Sequence, residues 1–233
     1  QYHHDSADPR SLSDASVYGV AEDAAGRIWV GTQHGLNRLE ADGRSFTRFF
    51  HADGDAASLA HDWAYALHPG VSGQLWIGTV GGGIDRPAAS GEGFEHFPLA
   101  ELTGGVRGLN DVFLIHETAD GRVWAGTRDG LVVLAPTRHT AERVALASDA
   151  GAQPLITTMH ADRYGRLWIG TLAHGVLVVD PATREWQRAH PGSIGAPGNL
   201  PAQPQLSIAT TDHMLFVGTW GSGVFRAPLE EPE

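Results

Sequence analysis

A five-residue phrase built on an aromatic residue, a glycine and a threonine occurs five times in this chain. Its copies occupy residues 28–32, 75–79, 123–127, 167–171 and 215–219. The aromatic positions lie 47, 48, 44 and 48 residues apart, and a glycine with an apolar run follows every copy. A repeat of this length, made of short apolar runs and turns, predicts an all-β fold, a β-propeller with one blade per copy.

The first copy allows one blade to be drawn strand by strand. Apolar runs separated by turn residues predict four antiparallel strands at residues 16–22, 27–32, 35–40 and 45–50. Applied to the whole chain, this layout predicts a single β-propeller domain over residues 1–233. Its four-stranded blades fall at approximately 13–50, 61–98, 109–147, 154–190 and 204–233.

The two ends of the chain are out of phase with this layout. The last repeat stops after its third strand, whereas residues 1–12 match the outer-strand end and return loop at residues 49–59. We therefore expect residues 1–12 to supply a closing strand and loop for the last blade. Such closure would remove an exposed sheet edge.

Composition excludes several classes of function. The net charge is −11 and the arginines are scattered, so a nucleic-acid surface is excluded, because phosphate binding needs clustered cations. The chain has no cysteine, which excludes disulfides and thiolate chemistry. No apolar run approaches the roughly 18 residues that span a bilayer, so we expect no direct membrane insertion by this segment.

The pattern around each copy resembles a known family of repeats. Residues 21–39 and 161–179 combine an acidic residue, a Gly-Arg pair, the tryptophan phrase and the following glycine, and residues 51–62 form a histidine- and aspartate-rich return loop. In these features the chain is similar to the two-component regulator propeller repeats. Those repeats form extracytoplasmic sensor regions of bacterial hybrid histidine kinases and diguanylate cyclases.

The resemblance implies a location and a role. It implies a periplasmic or extracytoplasmic segment of a membrane-anchored bacterial parent protein, whose signal passes to an output domain outside this chain. Propellers of this family typically have seven blades. The five repeats therefore leave two arrangements open, a closed five-bladed ring and a segment of a seven-bladed propeller.

Residues that differ between the repeats are the candidates for binding, because the fold already explains what repeats. The loops after the glycine–threonine pairs and the start of the second blade supply seven such residues: His34, Trp63, Tyr65, Arg128, Asp129, His174 and Trp220. In a propeller these loops share one face. Aromatic rings beside charged and imidazole side chains suit an oligosaccharide or another small polar ligand, which we predict to bind here.

Three histidines offer an alternative metal site. His68, His116 and His160 each lie eight residues before the tryptophan of their own repeat. Imidazole is a common zinc ligand, but equivalent positions of neighbouring blades are too far apart to reach one ion at about 2.0–2.1 Å. We therefore predict no metal and no other cofactor, and expect these rings to bond loop carbonyl groups.

Taken together, the sequence favours a non-enzymatic sensor propeller. No G-x-S-x-G, H-E-x-x-H or paired-carboxylate signature points to catalysis. Two alternatives stay open. One is a structural or protein-interaction propeller whose partners are the parent's signalling domains or a second copy in a dimer, and the other is a lyase-type propeller enzyme.

Overall fold

The computed structural model describes residues 1–71, 73–146, 153–189 and 205–229. It contains five antiparallel sheets, which we number as blades one to five in chain order. The chain forms two compact units. Unit one comprises residues 1–127 and 132–142, and unit two comprises residues 128–131 and 143–233.

Blades one to three contain four strands each. Blade one is formed by β1 (Val17–Glu22), β2 (Ile28–Thr32), β3 (Gly35–Leu39) and β4 (Phe46–Phe49). Blade two is formed by β5 (Ala64–Pro69), β6 (Leu75–Thr79), β7 (Gly83–Pro87) and β8 (Phe94–Phe97). A short helix, α1 (Leu99–Leu102), and a 3-10 turn (Arg107–Asn110) lead to blade three, which is formed by β9 (Val112–Glu117), β10 (Val123–Thr127), β11 (Gly130–Leu134) and β12 (Ala141–Val144).

Blades four and five differ in strand number. Blade four is formed by β13 (Ile156–Ala161), β14 (Leu167–Thr171), β15 (Val176–Val179) and β16 (Trp186–Arg188). Blade five has three strands in the described part of the chain: β17 (Gln205–Thr210), β18 (Met214–Thr219) and β19 (Gly223–Pro228). Each blade therefore places the repeated phrase on its second strand, as the sequence predicts.

The aromatic residue of the phrase is a core residue in the first four blades. The exposed fractions of Trp29, Trp76, Trp124 and Trp168 are 2%, 0%, 0% and 9%, and Phe216 of blade five is partly buried. Burying a ring of this size is strongly favourable because it removes a large apolar area from water. The indole N–H that is buried with it needs an acceptor.

A preceding aspartate supplies that acceptor in blades one and four. Asp23 Oδ2 accepts from Trp29 Nε1 at 2.8 Å, and Asp162 Oδ2 accepts from Trp168 Nε1 at the same distance. Each carboxylate also accepts from the arginine two residues before its tryptophan at 2.7 Å. The spacing of aspartate, arginine and tryptophan in the repeat is therefore that of one hydrogen-bond cluster.

Blade two lacks this aspartate, and a carboxylate from blade three replaces it. Gly70 stands at the position of Asp23, six residues before the tryptophan. Glu117 Oε2 accepts from Trp76 Nε1 at 3.2 Å and from the Val71 N–H at 2.9 Å. A side chain at Gly70 would collide with this carboxylate oxygen. Glu117 of blade three therefore compensates for the deviation at Gly70.

The glycine and threonine of the phrase also have specific roles. A Cβ at Gly31 would lie 2.6 Å from the Ala64 carbonyl oxygen, so only glycine allows blade two to approach this closely. The Thr32 hydroxyl donates to the carbonyl of Gly35 at 2.7 Å, and Gly35 has a φ of 109°. The hydroxyl thus stabilises the turn between β2 and β3, which ends at the positive-φ glycine.

The return loops before blades one and two are built alike. His4 Nδ1 contacts the Leu12 carbonyl at 2.8 Å, and His51 Nδ1 contacts the Leu59 carbonyl at 2.6 Å. Ser11 and Ser58 accept from the N–H groups of Asp5 and Ala52 in the two loops. The two loops therefore share one hydrogen-bond pattern. That residues 1–12 supply a closing strand and loop for the last blade stays a prediction.

Each of these loops is held by a polar residue in the blade that follows it. Asn37 Oδ1 accepts from the Ser13 N–H at 2.8 Å, and Asp85 Oδ2 accepts from the Ala60 N–H at 2.9 Å. Both side chains are fully buried, and the equivalent positions in blades three to five hold the apolar residues Val132, Leu177 and Phe225. A buried polar residue in the third strand thus marks the blades that such a loop precedes.

Arginine occupies a left-handed backbone position in two hairpins. The turns between the third and fourth strands contain Gly43 (φ 63°) in blade one and Gly91 (φ 84°) in blade two, but Arg138 (φ 63°) and Arg184 (φ 64°) in blades three and four. Arg138 Nη2 donates to Glu117 Oε1 at 2.9 Å, and the guanidinium carbon lies 4.6 Å from the Trp76 ring centroid. The buried ion pair explains why arginine is retained at position 138.

The carboxylate shared between blades two and three can be tested by rescue. We expect Glu117→Ala to lower the free energy of unfolding by about 3–5 kcal/mol, because it leaves the Arg138 charge without its carboxylate partner and the buried Trp76 N–H without an acceptor. Adding Gly70→Asp should restore part of that loss, since it rebuilds the arrangement of blade one. Chemical denaturation measures the free energy of unfolding of each variant. Gly70→Asp alone should be destabilising. If the double variant is no more stable than Glu117→Ala, Glu117 does not replace the aspartate that is missing at position 70.

The two left-handed arginines form a matched pair for a second test. Arg138→Gly should destabilise by about 3 kcal/mol because Glu117 loses its buried partner. Arg184→Gly should destabilise less than Arg138→Gly, because glycine adopts this φ without strain and the buried Glu117–Arg138 pair stays intact. Thermal and urea unfolding of both variants checks the contrast, and equal effects would contradict the assignment of Arg138 to the ion pair.

Candidate functional site

The start of the inner strand and the loop after the Gly-Thr pair meet in three blades. The N–H groups of Gln33, Val80 and Leu172 donate to the carbonyls of Ser16, Trp63 and Leu155 at 3.0, 3.0 and 3.1 Å. In each of these three blades the variable residues therefore lie at one end of the sheet.

Every inner strand carries a register shift at its second residue. The shift lies between Val17 and Gly19 in β1, and equivalent shifts occur in β5, β9, β13 and β17. The residues at the shifts are Tyr18, Tyr65, Phe113, Thr157 and Leu206. A β-bulge of this kind turns a side chain away from the ladder and is common beside binding sites.

In unit one the three shifted residues form a continuous row of rings, which we call the aromatic row: Tyr18, Tyr65 and Phe113. Tyr18 stacks on Tyr65 with ring centroids 4.7 Å apart and an interplanar angle of 28°. Tyr65 meets Phe113 edge to face at 5.1 Å. Because each ring stands on a different blade, the row joins the inner strands of three blades.

Trp63 extends the aromatic row at its side. Its ring centroid lies 5.7 Å from that of Tyr18 and 6.3 Å from that of Tyr65. The indole N–H is buried and has no hydrogen-bond partner among the described residues. Trp63 therefore supports the row mainly through its ring.

The aromatic row offers both apolar faces and hydrogen-bonding groups. Tyr18 is 42% exposed, and Tyr65 and Phe113 are partly buried. Within the described residues, the hydroxyl groups of Tyr18 and Tyr65 have no protein hydrogen-bond partner. Two phenol groups are thus left to bond water or a ligand. Such a combination of ring face and hydroxyl is typical of binding surfaces.

The structure brings together only part of the seven predicted residues. Trp63 and Tyr65 belong to the aromatic row. His34 is largely exposed, lies 3.5 Å from Asp62 through Nδ1 and Oδ2, and contacts the Phe50 ring. This places His34 on the β2–β3 turn of blade one, beside Asp62 of the loop that leads to blade two, without a ring contact to the row.

The other four predicted residues belong to unit two. Arg128 is exposed, and the carbonyl oxygen of Asp129 accepts from Arg143 Nη2 at 2.8 Å. His174 is exposed and its N–H donates to the Thr171 hydroxyl, while Trp220 is 68% exposed. Their role in binding stays a prediction.

Sequence reasoning missed Tyr18 and Phe113. A signal for them was present, since Tyr18, Tyr65 and Phe113 all lie eleven residues before the tryptophan of their blade. Their role could not be predicted because side chains alternate in direction along a regular strand. The bulge that changes the direction of the second side chain leaves no signal in the sequence pattern.

The three in-register histidines lie opposite the motif tryptophans. His68 pairs with Trp76, His116 with Trp124 and His160 with Trp168 across their strands. The rings of His68 and His116 are 5.4 Å apart between centroids, and His68 Nε2 accepts from the Glu117 N–H at 3.2 Å.

The partners of these histidines differ from the expected loop carbonyls. His160 Nε2 lies 2.9 Å from the Thr210 hydroxyl oxygen, so a hydroxyl and a backbone N–H take the place of carbonyl groups. Among the described residues, no three histidine or carboxylate side chains are grouped so that they could hold a metal ion.

Burial lowers the pKa of His68 to about 4, and the neighbouring His116 lowers it further while Glu117 opposes the shift. Burial also lowers the pKa of His160. Both rings are therefore neutral at physiological pH. This agrees with the bond at His68, because Nε2 can accept from Glu117 only when that nitrogen carries no proton.

His68 predicts a stability change in acid. The unfolded chain binds a proton near pH 6.5 and the folded chain near pH 4, so stability from this group falls as the pH drops through that window. The loss should reach up to about 3 kcal/mol at pH 4. Urea unfolding of wild type and His68→Gln between pH 4 and 7 measures it. The difference between them should shrink as the pH falls, and a constant difference would contradict a neutral buried His68.

Comparison with known proteins finds a family match for two of the repeats and solved structures with the same fold. The model of the two component regulator propeller matches residues 11–34 and 152–173, which carry the first and fourth copies of the phrase. A search of the curated proteins gives no match. In the part of the chain that the structure describes, no helix has both the length and the apolar character needed to cross a membrane.

Several solved structures share the fold. The chain is 22% identical to the extracellular domain described for the hybrid two component system BT3049 from B. thetaiotaomicron, with a TM-score of 0.71. It is 21% identical to the corresponding domain of BT4673 from the same organism, with a TM-score of 0.72. It is also 17% identical to PorZ, a surface component of the type-IX secretion system of Porphyromonas gingivalis, with a TM-score of 0.63.

The chain spans about a third or less of these proteins. The three likenesses cover 97%, 96% and 93% of this chain but only 28%, 29% and 33% of the others. At this level of identity they establish the fold. Together with the repeated phrase and the five antiparallel sheets, they show that the chain is a β-propeller, in which residues 11–34 and 152–173 are similar to the two component regulator propeller repeat.

Proposed function

We propose that this chain is a non-enzymatic extracytoplasmic sensor propeller, which binds a carbohydrate or another small ring-shaped polar ligand. The proposal rests on the aromatic row of unit one. Tyr18, Tyr65 and Phe113 project from bulges at equivalent places of three blades, and two of them carry unshared hydroxyl groups. The occupied state would pass to an output domain of a longer parent protein.

The chemistry of the aromatic row favours binding by stacking. A pyranose ring presents C–H groups on its faces and hydroxyl groups at its edge, so an aromatic ring can cover the face while a phenol bonds the edge. The bulges stand on the inner strands, each of which pairs with the second strand of its sheet. A site on rigid elements loses less conformational freedom on binding than one on mobile loops.

The side chains of the aromatic row do not favour catalysis at this site. Phenyl and indole groups carry no proton that can be transferred, and the aromatic row contains no carboxylate or imidazole group. General acid–base work near neutral pH would need a group that titrates there. The aromatic row is therefore suited to hold a ligand and not to convert it.

The location outside the cytoplasm and the link to an output domain rest on the likeness to other proteins. Two of the similar structures are described as extracellular domains of signalling systems. The chain corresponds to less than a third of each, which agrees with a role as one part of a larger receptor.

Exposed apolar residues favour a protein-interaction propeller as the second candidate. In blade one, Val17 and Val20 of β1 are 44% and 63% exposed. In blade five, Leu206 and Val224 are 51% and 72% exposed, and Trp220 is close to them in exposure. Large exposed apolar residues commonly mark contacts with other proteins. The secretion-system component PorZ shows that this fold also occurs in an assembly.

Thermal-shift and calorimetric screening against neutral and acidic oligosaccharides would test the sensor. A ligand at about 100 times its Kd should stabilise the fold by roughly 2.7 kcal/mol. Tyr65→Ala should weaken binding about tenfold, because a lost aromatic contact is worth about 0.5–1.5 kcal/mol. Tyr18→Phe and Tyr65→Phe, which keep the rings, separate the hydroxyl bonds from stacking.

Trp220→Ala serves as the control outside the aromatic row. It should leave the affinity unchanged if the row is the site. An effect of Trp220→Ala without an effect of the tyrosine variants would move the site to the loops of unit two. A cooperative melt that no saccharide shifts would favour the protein-interaction alternative.

A further inference from the structure

A second site is indicated by an open groove of about 590 Å³ in unit two. Its lining consists of residues at the end of β12 and at the start of β16: Arg143, Val144, Ala145, Arg184, Glu185 and Trp186. We call it the outer-strand groove. It shares no residue with the aromatic row, so its role is independent of the function proposed above.

The aromatic side chain of the outer-strand groove is fixed in place. Trp186 Nε1 donates to the carbonyl oxygen of Ala145 at 2.7 Å, which ties the start of β16 to the end of β12. The ring is partly buried, so part of it remains accessible at the groove. An indole held in this way offers a ready apolar surface to a flat ligand.

Two guanidinium groups accompany the indole. Arg143 is exposed, and its Nη2 donates to the Asp129 carbonyl at 2.8 Å, which orients the side chain. Arg184 has a φ of 64° at the hairpin position that glycine occupies in blades one and two. The Arg184 side chain lines the groove.

The charge of the lining favours an anionic ligand that also carries hydroxyl groups. Two arginines face one carboxylate, Glu185, on a chain whose net charge is −11. Guanidinium groups bind carboxylates through paired hydrogen bonds. The carboxylate of Glu185 accepts hydrogen bonds but repels a bare anion, so it suits hydroxyl groups of the same ligand.

We propose that the outer-strand groove binds a hydroxylated, ring-shaped carboxylic acid. Arg143 and Arg184 bind its carboxylate, Trp186 covers one face of its ring, and Glu185 accepts from a ring hydroxyl. A sugar acid and a hydroxylated aromatic acid share this chemistry, and the experiment distinguishes them.

Isothermal titration calorimetry of the whole chain provides the test, with D-galacturonate and 4-hydroxybenzoate as probes. D-galactose and 4-hydroxybenzyl alcohol are their counterparts without the carboxylate. We expect one of the acids to bind at least tenfold more tightly than its neutral counterpart, and the acid that does so identifies the ligand class. If neither acid is preferred, the proposal is wrong.

Variants separate binding from folding. Arg184→Gly removes the guanidinium where glycine fits the backbone, so it should weaken acid binding at least tenfold without lowering the Tm. Arg188→Gln changes an exposed arginine of the same strand that does not line the groove, and should alter the affinity less than twofold.

Two results would overturn the assignment: wild-type affinity in Arg184→Gly, or an equal loss in Arg188→Gln. Should Arg184→Gly melt early, the exposed Arg143→Gln replaces it with the same expected loss. Tyr65→Ala, which lies in the aromatic row, should leave acid binding at this groove unchanged. The failure of one site is thereby distinguishable from the failure of the other.

Discussion

The first four blades are each organised around one tryptophan ring that is buried together with its N–H group. The ring of a motif tryptophan fills the blade core, but its N–H must then find an acceptor inside the protein. Asp23 and Asp162 meet this need within their own blades, and Glu117 meets it for Trp76 from the next blade. In blade three the Trp124 N–H has no partner among the described residues, and blade five avoids the need because Phe216 has no such group.

Deviations from the repeat therefore carry more information than the repeat itself. Gly70 and Arg138 each break the pattern, and together with Glu117 they form one cluster around Trp76. Arg184 breaks the pattern in the same way as Arg138, but its side chain lines the outer-strand groove. Residues that depart from the repeat or adopt a strained backbone serve another group. In blade three this group is the ion-pair partner of Arg138, and in blade four we propose a ligand for Arg184.

The sequence predicted the fold more fully than the site. The strands predicted at 16–22, 27–32, 35–40 and 45–50 are observed at Val17–Glu22, Ile28–Thr32, Gly35–Leu39 and Phe46–Phe49. Periodic apolar runs and positive-φ glycines are local signals, so they can be read without a structure. The site depends on which residues of separate blades come together. Trp63 and Tyr65 were found because they interrupt the repeat, whereas Tyr18 and Phe113 were missed because a bulge sets their direction.

The sequence by itself determined the number of repeats, the all-β class and the structural role of the phrase, because hydrophobic period, turn chemistry and glycine placement act within a few residues along the chain. Only the tertiary structure decided which acceptor serves Trp76 and how Tyr18, Tyr65 and Phe113 align. It also decided that Arg143 and Arg184 share a groove with Trp186. These contacts join residues some forty or more positions apart, and such distances are fixed by the packing of one blade or strand against another, on which the local pattern carries no information.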